Sequence, residues 1–376
     1  YGIYTVHQTV GWEGTEFIAD FDVNISESGQ TYRYLINNAK FESYIKIVKV
    51  DSETGKTIPY EGAGFEIYDS NGQKISMTFS YPTPTTIDTF YTNSEGYLIT
   101  PEVLPYGEYS LVEVQAPYGY ALDKTPVAFS VSLENAEKEN SLTIVKVEKQ
   151  NTAQKGRISV QKTGDIFTSV NMASSAYTDE NGELVVNSTT YTPVFADGDL
   201  SGAVFQITAA EDIVTADGTI HANAGDVVTE ITTDENGYGE TEPLYLGRYE
   251  VREIKAPYGY VLNNEPKEAE LTYAGQEFEV RDTVDTEFEN EYQRVMIRLS
   301  KTMENDELFG IGSNGEYKNV RFGLFAAKDI TASNGTLIPA GGLISAVSLD
   351  ENMTAVIAEK IPFGKYYVQQ NVRRRS

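Results

Sequence analysis

The 376-residue sequence contains no cysteine, which excludes disulfide bonds, thiolate metal sites and a cysteine nucleophile. Histidine is scarce as well, with only His7 and His221, so a histidine base is an improbable basis for catalysis. No run of about 18 apolar residues occurs, and the sequence therefore predicts no transmembrane helix. If the chain is extracellular, something other than sulfur must stabilise its domains.

Positive charge is also scarce, with 29 Lys and Arg against 56 Asp and Glu and a formal net charge of −27. Nucleic-acid binding needs a basic surface that neutralises phosphates, so this balance argues against a nucleic-acid partner and against an anionic membrane surface. The Asp-Glu-Asn-Gly runs lack the alternating acids of a calcium-binding loop and are interpreted as hairpin turns. We therefore expect no metal and no cofactor.

The ends of the sequence do not resemble natural domain boundaries. The segment that begins at Tyr1 lacks the charged and apolar regions of a signal peptide, and residues 373–376 directly follow a strand-like segment. The chain is expected to be a piece of a longer protein or the product of a truncated gene.

Short alternating segments rich in Val, Ile, Thr, Tyr and Phe fill the sequence and are separated by Gly, Asn and Asp turns, as at 92–96, 177–182 and 233–237. This pattern predicts an all-β fold of sandwich type. The strongest helix candidate is the short polar stretch 132–140.

Internal repeats divide the chain. The segment 106–120 recurs at 246–260, with partial copies at 1–8 and 363–370, and in three copies a Phe precedes a Tyr by 44 residues. We therefore predict four units, named here the first partial repeat, the first complete repeat, the second complete repeat with an inserted loop at 165–199, and the last partial repeat. Their predicted ranges are 1–42, 43–155, 156–293 and 294–376.

Strand alternation places three kinds of polar side chain on faces that are otherwise apolar. Each of the last three units has an inward Lys on its first strand, the complete repeats have an inward Glu on a later strand, and the partial repeats have Gln at that position. An Asn precedes each Lys by 11 residues, with Asn37 an alternative to Asn38. The residues are Lys49, Lys162 and Lys301; Glu113 and Glu253; Gln8 and Gln370; and Asn38, Asn151 and Asn290.

Buried Lys and Glu are costly unless they pair or neutralise each other. Burial lowers the pKa of a lysine and favours the nucleophilic amine, while a buried carboxyl is pushed toward its protonated form. Such an acid polarises a carboxamide and relays a proton to departing ammonia, so the three side chains would form an intramolecular Lys–Asn isopeptide bond in one turnover. An ordinary buried salt bridge is the alternative interpretation.

The repeats resemble the CnaB-type (SpaA-like, prealbumin-like) domains of Gram-positive surface proteins and pilins. The resemblance rests on Lys49-Val-Asp-Ser-Glu-Thr-Gly55, on Gly62-Ala-Gly-Phe65, and on the Glu-x-x-Ala-Pro-x-Gly-Tyr box that begins at Glu113 and again at Glu253. It implies tandem Ig-like β-sandwiches, with the Glu of each box as the catalytic acid. The 11-residue passage from each Asn to the next Lys leaves little free linker, so we expect the domains to stack as a semi-rigid rod. By this resemblance the triads are Lys49, Glu113 and Asn151, and Lys162, Glu253 and Asn290.

The partial repeats depart from the family pattern. Gln8 and Gln370 replace the acid, and Asn38 and Lys301 lack their partners within the chain. We expect no bond at these two places. A pilin-type Lys motif and a Leu-Pro-x-Thr-Gly sorting signal are both absent, so sortase attachment is not predicted from this segment.

These features predict a structural or adhesive stalk at the cell surface or cell wall of a Gram-positive bacterium, not a turnover enzyme. The alternative is a module that binds a host matrix protein or glycan through variable loops, with the 165–199 insert as the best candidate. A hydrolase with paired acids is disfavoured, because the acids lie singly in the repeats.

Overall fold

All regular structure in the described part of the chain is β-strand, which confirms the all-β prediction. The structure is a computed structural model that describes residues 1–80, 82–178, 184–302, 320–358 and 360–372. The predicted turn at 177–182 and the terminal 373–376 segment lie wholly or partly outside these ranges. Within them, no helix is long and apolar enough to cross a membrane. The helix candidate at 132–140 instead contains a strand.

The first partial repeat contributes one antiparallel pair, and the first complete repeat contributes eleven strands. In chain order they are β1 Gly2–Val6, β2 Phe21–Ile25, β3 Glu42–Asp51, β4 Gly64–Asp69, β5 Met77–Phe79, β6 Thr85–Ile87, β7 Phe90–Tyr91, β8 Tyr97–Ile99, β9 Leu104–Pro105, β10 Gly107–Gln115, β11 Val127–Val131, β12 Ala136–Glu139 and β13 Leu142–Asn151.

The second complete repeat and the last partial repeat supply the remaining strands. They are β14 Lys155–Thr178, β15 Leu184–Asp199, β16 Val204–Ala209, β17 Ile213–Val214, β18 Ile220–Ala222, β19 Val227–Thr232, β20 Tyr238–Glu240, β21 Leu244–Tyr245, β22 Gly247–Lys255, β23 Lys267–Leu271, β24 Val280–Asn290, β25 Ile297–Ser300, β26 Val320–Ala326, β27 Ile330–Thr331, β28 Leu337–Ile338, β29 Leu343–Ser348, β30 Thr354–Ala358 and β31 Tyr366–Val372.

Two sheets form a sandwich in the first complete repeat. One sheet has the order β11-β10-β4-β7, and the other has the order β12-β13-β3-β8, with β9 also on β3. Their inward residues alternate with exposed ones and form one apolar core that includes Ile47, Phe65, Leu111 and Val147. The tandem β-sandwich prediction is confirmed in this repeat.

The second complete repeat has the same arrangement. Its sheet β19-β16-β22-β23 corresponds to β7-β4-β10-β11, and strands β20, β21 and β24 all pair with β14 as β8, β9 and β13 pair with β3. Its core includes Val160, Phe205, Val251 and Phe288. The two repeats therefore place equivalent residues at equivalent positions of the fold.

The segment predicted as an inserted loop at 165–199 is most of a long β-hairpin. Strands β14 and β15 pair from Thr163 and Asp199 out to Thr178 and Leu184. The hairpin then joins the sheet of the last partial repeat, where Thr190 pairs with Leu343 of β29. Val170 of the hairpin is buried in the core of that repeat. The insert is therefore structural along its described length and belongs to two repeats at once.

Candidate functional site

The two inward lysines lie on the first strand of each complete repeat, as predicted. Both Lys49 on β3 and Lys162 on β14 are fully buried. The backbone of each is fixed from the neighbouring hairpin turn, because Lys49 N donates to Gly96 O at 2.9 Å and Lys162 N donates to Gly237 O at 2.7 Å. The hairpin turn that ends in Gly96 or Gly237 thus fixes the backbone position of the lysine.

The two glutamates lie on the middle strand of the opposite sheet. Glu113 on β10 pairs with Phe65 of β4, and Glu253 on β22 pairs with Phe205 of β16. Both carboxyls are buried. Because opposed residues project to the same face, each acid points into the core next to an aromatic ring and faces the lysine strand.

The two asparagines end the last strand of each complete repeat, which runs parallel to the first. Lys49 pairs with Lys149 in this register, and Lys162 pairs with Phe288, so each Asn lies two residues beyond the partner of the lysine. A two-residue step keeps both side chains on one face of the sheet. Asn151 and Asn290 are accordingly buried beside Lys49 and Lys162.

In the first complete repeat the carboxyl lies between the two nitrogens that the predicted reaction involves. Nζ of Lys49 donates to Oε1 of Glu113 at 2.8 Å, and Nδ2 of Asn151 donates to Oε2 at 2.7 Å. Nδ2 also donates to the carbonyl of Ala121 at 2.7 Å, and the amide of Asp123 donates to Oε2 at 3.1 Å. The structure brings this predicted triad together.

The second complete repeat brings its three residues together with a looser set of contacts. Nδ2 of Asn290 donates to Oε1 of Glu253 at 2.8 Å, and the amide of Asn263 donates to Oε2 at 3.0 Å. Nζ of Lys162 is buried and has no hydrogen-bond partner among the described residues. The amine of this lysine is therefore buried without a described hydrogen-bond partner, unlike the amine of Lys49.

The Ala-Pro-Tyr-Gly-Tyr segments hold the asparagine end of each repeat. Tyr120 bridges to Ala153 and Tyr260 bridges to Tyr292, just past the two asparagines. The carbonyls of Gly119 and Gly259 accept from the amides of Gln154 and Gln293, three residues beyond the asparagines, at 2.8 and 2.9 Å. This segment therefore fixes the position of the last strand relative to the strand that carries the acid.

The electrostatics favour a nucleophilic amine at both sites. Burial lowers the pKa of Lys49 to about 8, although Glu113 opposes this shift. Burial likewise lowers the pKa of Lys162 to about 8. Both lysines thus reach the neutral, nucleophilic form far more readily than an exposed lysine does.

The first partial repeat retains the same geometry with an amide in place of the acid. Oε1 of Gln8 accepts from Nδ2 of Asn38 at 3.0 Å and from the amide of Ile18 at 3.0 Å. Asn38 also donates to the carbonyl of Glu16 at 2.6 Å. These contacts match the bonds that Glu113 accepts from Asn151 and Asp123 and the bond from Asn151 to Ala121 O, and they identify Asn38, not Asn37, as the equivalent asparagine.

The last partial repeat contains the other two predicted equivalents, and no hydrogen bond joins them among the described contacts. Gln370 pairs with Phe322, as each glutamate pairs with a phenylalanine, and it is exposed. Lys301 is half-buried, and its amide donates to Met353 O at 3.0 Å, the contact that glycine provides in the complete repeats.

One buried lysine was missed by the sequence analysis. Lys149 on β13 is 2% exposed, and its Nζ donates to Asp123 Oδ2 at 2.8 Å and to Thr125 O at 2.7 Å. The alternation of Val145, Val147 and Lys149 on one face of the strand was the available signal.

Comparisons with known proteins agree with the fold. The family model for the SpaA prealbumin-like fold domain matches residues 43–150 and 194–286, which together are more than half of the chain. The trypsin-resistant surface T6 protein of Streptococcus pyogenes serotype M6 is 27% identical over 101 residues, covering 27% of this chain and 18% of that protein.

Solved structures are similar at lower identity. The structure titled "The Bacillus anthracis TIE protein" has a TM-score of 0.50 at 20% identity, covering 95% of this chain and 48% of that one. The minor pilin GBS52 of Streptococcus agalactiae has a TM-score of 0.25 at 17% identity, covering 69% of this chain and all of that one. The chain thus spans about a fifth of the curated relative and about half of the first structure.

The fold and the buried Lys–Glu–Asn sites define a chain of tandem prealbumin-like β-sandwiches. With the family model matched within both complete repeats and over more than half of the chain, the chain belongs to the SpaA family of prealbumin-like fold domains.

Proposed function

We propose that this chain is part of a structural stalk on the surface of a Gram-positive bacterium, in which isopeptide bonds Lys49–Asn151 and Lys162–Asn290 lock the two complete repeats. The carrying observation is that each complete repeat buries its Lys, Glu and Asn together on facing strands. The same residue types recur at equivalent positions of two repeats, which an incidental salt bridge does not require.

The reaction follows from the arrangement of the first triad. Movement of one proton from Lys49 to Glu113 along their 2.8 Å hydrogen bond gives a neutral amine and a carboxylic acid, which burial favours over two charges. Nζ of Lys49 then bonds to Cγ of Asn151, the bond from Cγ to Nδ2 breaks, and Nδ2 leaves as ammonia. Glu113 contacts both nitrogens and carries the proton from the attacking one to the leaving one.

Unpaired atoms in the second triad also favour the reaction. Nζ of Lys162 and Oδ1 of Asn290 are buried and have no hydrogen-bond partner in the described ranges. Burial of unpaired polar atoms is costly. Conversion of the amine into an amide nitrogen removes a buried ionisable group, so the product is the more stable occupant of this core.

The bonds would have a mechanical effect because of where they lie. The chain enters each complete repeat through its first strand and leaves through its last, and these two strands run parallel. A covalent bond between them carries a pulling force past the residues in between, roughly 100 in the first complete repeat and roughly 130 in the second. The sandwich is then shielded from stretching, as a stalk requires, and from proteases that need an unfolded chain.

The relatives support a surface role. The printed name of the Streptococcus pyogenes relative describes a trypsin-resistant surface protein. We assign the same location and the same protease resistance to this chain. The 165–199 hairpin is assigned to the joint between repeats, because its described residues pack against the last partial repeat.

Intact-mass analysis of the folded chain tests the proposal. The wild type is expected to lack the mass of two ammonia molecules, and Glu113→Ala with Glu253→Ala is expected to restore the full mass. Glu108→Ala is the matched control, because Glu108 is on the same strand as Glu113 but is exposed. An unmodified mass in the folded wild type would contradict the proposal.

A further inference from the structure

Two lysine side chains enter the core of the first complete repeat from neighbouring strands. Lys149 of β13 pairs directly with Lys49 of β3, and both side chains are buried. Opposed residues of adjacent strands project to the same face. Two like charges in one core are costly, so the position of the second lysine calls for a specific reason.

The amine of Lys149 is tied to a segment that contacts the first triad. It donates to the carboxylate of Asp123 at 2.8 Å and to Thr125 O at 2.7 Å. The amide of Asp123 in turn donates to Oε2 of Glu113. The same segment supplies the Ala121 carbonyl that accepts from Asn151. Residues 121–125 therefore connect Lys149 to the acid and to the asparagine.

The second complete repeat lacks both members of this ion pair. Phe288 occupies the position of Lys149, opposite Lys162, and Asn263 occupies the position of Asp123, with its amide on Glu253. The equivalent segment still contacts the acid there. The fold of a repeat therefore does not require the Lys149–Asp123 pair, which points to a role in the first triad alone.

We propose that Lys149 is a positioning residue for the reaction between Lys49 and Asn151. Lys149 holds residues 121–125 against Glu113 through Asp123, and its charge drives the proton of Lys49 onto Glu113. This inference rests on the proposed function. A cation opposite Lys49 destabilises the ammonium form and so increases the population of the neutral amine beside the protonated acid. No atoms are consumed, because the proton only moves along the existing hydrogen bond.

The charged groups around Lys49 support this direction. Glu113 faces it from β10, Lys149 from β13 and Asp123 from the 121–125 segment. Burial is the main cause of the lowered pKa of Lys49; Glu113 opposes it, and Lys149 lowers the pKa further by a larger effect than Asp123 has in raising it. Removal of the Lys149 charge is therefore expected to raise the pKa of Lys49.

A pH profile separates this electrostatic role from a structural one. The reactive pair of amine and acid holds one proton, so the rate falls at high pH where that proton is lost. Without the cation the pair keeps its proton to higher pH, and the reactive arrangement is less populated near neutral pH. Without the Lys149 charge, we therefore expect slower formation of the Lys49–Asn151 bond near neutral pH and a fall in rate that begins at higher pH.

The experiment uses the full chain, made in a short cell-free synthesis pulse and transferred to buffers from about pH 5 to about pH 10, a range that brackets the reactive pair. Mass spectrometry follows the cross-linked peptides of both repeats over time. The variants are Lys149→Met and the double variant Asp123→Asn with Lys149→Phe, which introduces the residues of the second complete repeat. The Lys162–Asn290 bond in the same molecule is the internal control.

For Lys149→Met we expect the Lys49–Asn151 bond to form roughly threefold more slowly near neutral pH, with the alkaline limb about half a unit higher. For the double variant we expect a smaller change in the same direction, because the opposing charge of Asp123 is removed as well. The Lys162–Asn290 rate is expected to stay unchanged in both. Superimposable profiles, or a slower reaction with an unmoved alkaline limb, would overturn the role of Lys149 and leave the proposed function intact. If neither repeat of the wild type loses ammonia, the proposed function itself fails.

Discussion

Gln8 and Asn38 are joined by a 3.0 Å hydrogen bond that occupies the place of the Glu113–Asn151 contact in the next repeat. The acceptor oxygen of Gln8 also accepts the amide ten residues later, as Glu113 does. A glutamine therefore fits the site without changing its geometry. What it lacks is a proton that can be relayed to a leaving amine.

The Gln8 geometry predicts the outcome of Glu113→Gln. This variant is expected to fold with Asn151 in place but to retain the full mass of its first complete repeat, because no acid is present. Loss of a covalent link that closes a loop of about 100 residues lowers the free energy of unfolding by roughly 5 kcal/mol in the loop-entropy model. Intact mass and thermal unfolding measure both effects, with the second complete repeat as the control. Ammonia loss from the first complete repeat of this variant would contradict a requirement for the acid.

Gly96 is predicted to be essential for the position of Lys49. It has a φ of +81°, and a Cβ built on it lies 1.9 Å from the carbonyl oxygen of Ile58. Gly96→Ala is therefore expected to displace the turn whose carbonyl holds the amide of Lys49 and to slow formation of the first bond.

The control for this prediction is Gly72→Ala, at a φ of +77° with nothing within 4 Å of the added Cβ. It is expected to cost only the left-handed strain of about 1 kcal/mol. Urea unfolding of both variants in the Glu113→Gln background, and cross-link yield in the wild-type background, provide the comparison. Equal effects of the two substitutions would show that contact with Ile58 is irrelevant.

Gln154 is predicted to hold the joint between the two complete repeats. Its buried side-chain amide donates to Gly275 O and Phe278 O, each at 2.8 Å, and its carbonyl accepts from Ala274 N at 2.7 Å. Gln154→Ala leaves these three backbone groups unpaired, at about 1–3 kcal/mol for each that stays buried. Faster amide exchange at residues 274–279 and a broader distribution in small-angle scattering are expected.

Gln293 is the matched control for this joint, because its amide makes the same backbone contact after the second tyrosine box. Its side chain is exposed and makes one long hydrogen bond of 3.4 Å, to Tyr260. Gln293→Ala is expected to leave exchange at 274–279 unchanged. If both variants behave alike, the Gln154 contacts do not determine the stiffness of the joint.

Asp123 is predicted to make the first complete repeat sensitive to acid. Burial alone would raise its pKa, but hydrogen bonds from Lys149 and Thr125 lower the pKa to about 2, below the ordinary 3.8. A carboxyl with a depressed pKa stabilises the folded state above its unfolded pKa, and this contribution is lost as the pH falls through the folded value. The stability difference between Asp123 and Asp123→Asn, both in the Glu113→Gln background, is therefore expected to shrink between about pH 4 and about pH 2. A difference that stays constant across this interval would argue against the ion pair.

The triads were predictable because two independent patterns in the sequence agree. Strand alternation directs Lys49 inward, and the repeat places Glu113 and Asn151 at fixed intervals from equivalent residues. Lys149 obeys the same alternation but has no counterpart in the second complete repeat, where Phe288 takes its place, so comparison of the repeats gave no signal for it. The two isopeptide bonds proposed for the triads stay predictions.

Two features of the fold could not be predicted from the local sequence pattern. The helix candidate at 132–140 contains strand β12, which pairs with β13 because the positive φ of Asn140 and Ser141 turns the chain sharply between the two strands. Without a glycine this turn has only a weak signature. The sequence analysis interpreted residues 165–199 as an inserted loop, whereas they form most of a β-hairpin, and its contact with the last partial repeat through Thr190 and Leu343 required the structure.

The 24-residue strand β14 carries the lysine of a proposed cross-link and also reaches the core of the last partial repeat, because Lys162 and Val170 lie on the same strand. At about 3.3 Å per residue, roughly 25 Å of strand separates the proposed anchor in one repeat from the core of the next. The proposed bond at Lys162 would fix one end of the hairpin in the second complete repeat. Tilting the last partial repeat would then bend paired β-strands, where a flexible linker would simply rotate. The distance between these two repeats is consequently set by the rise of a β-strand.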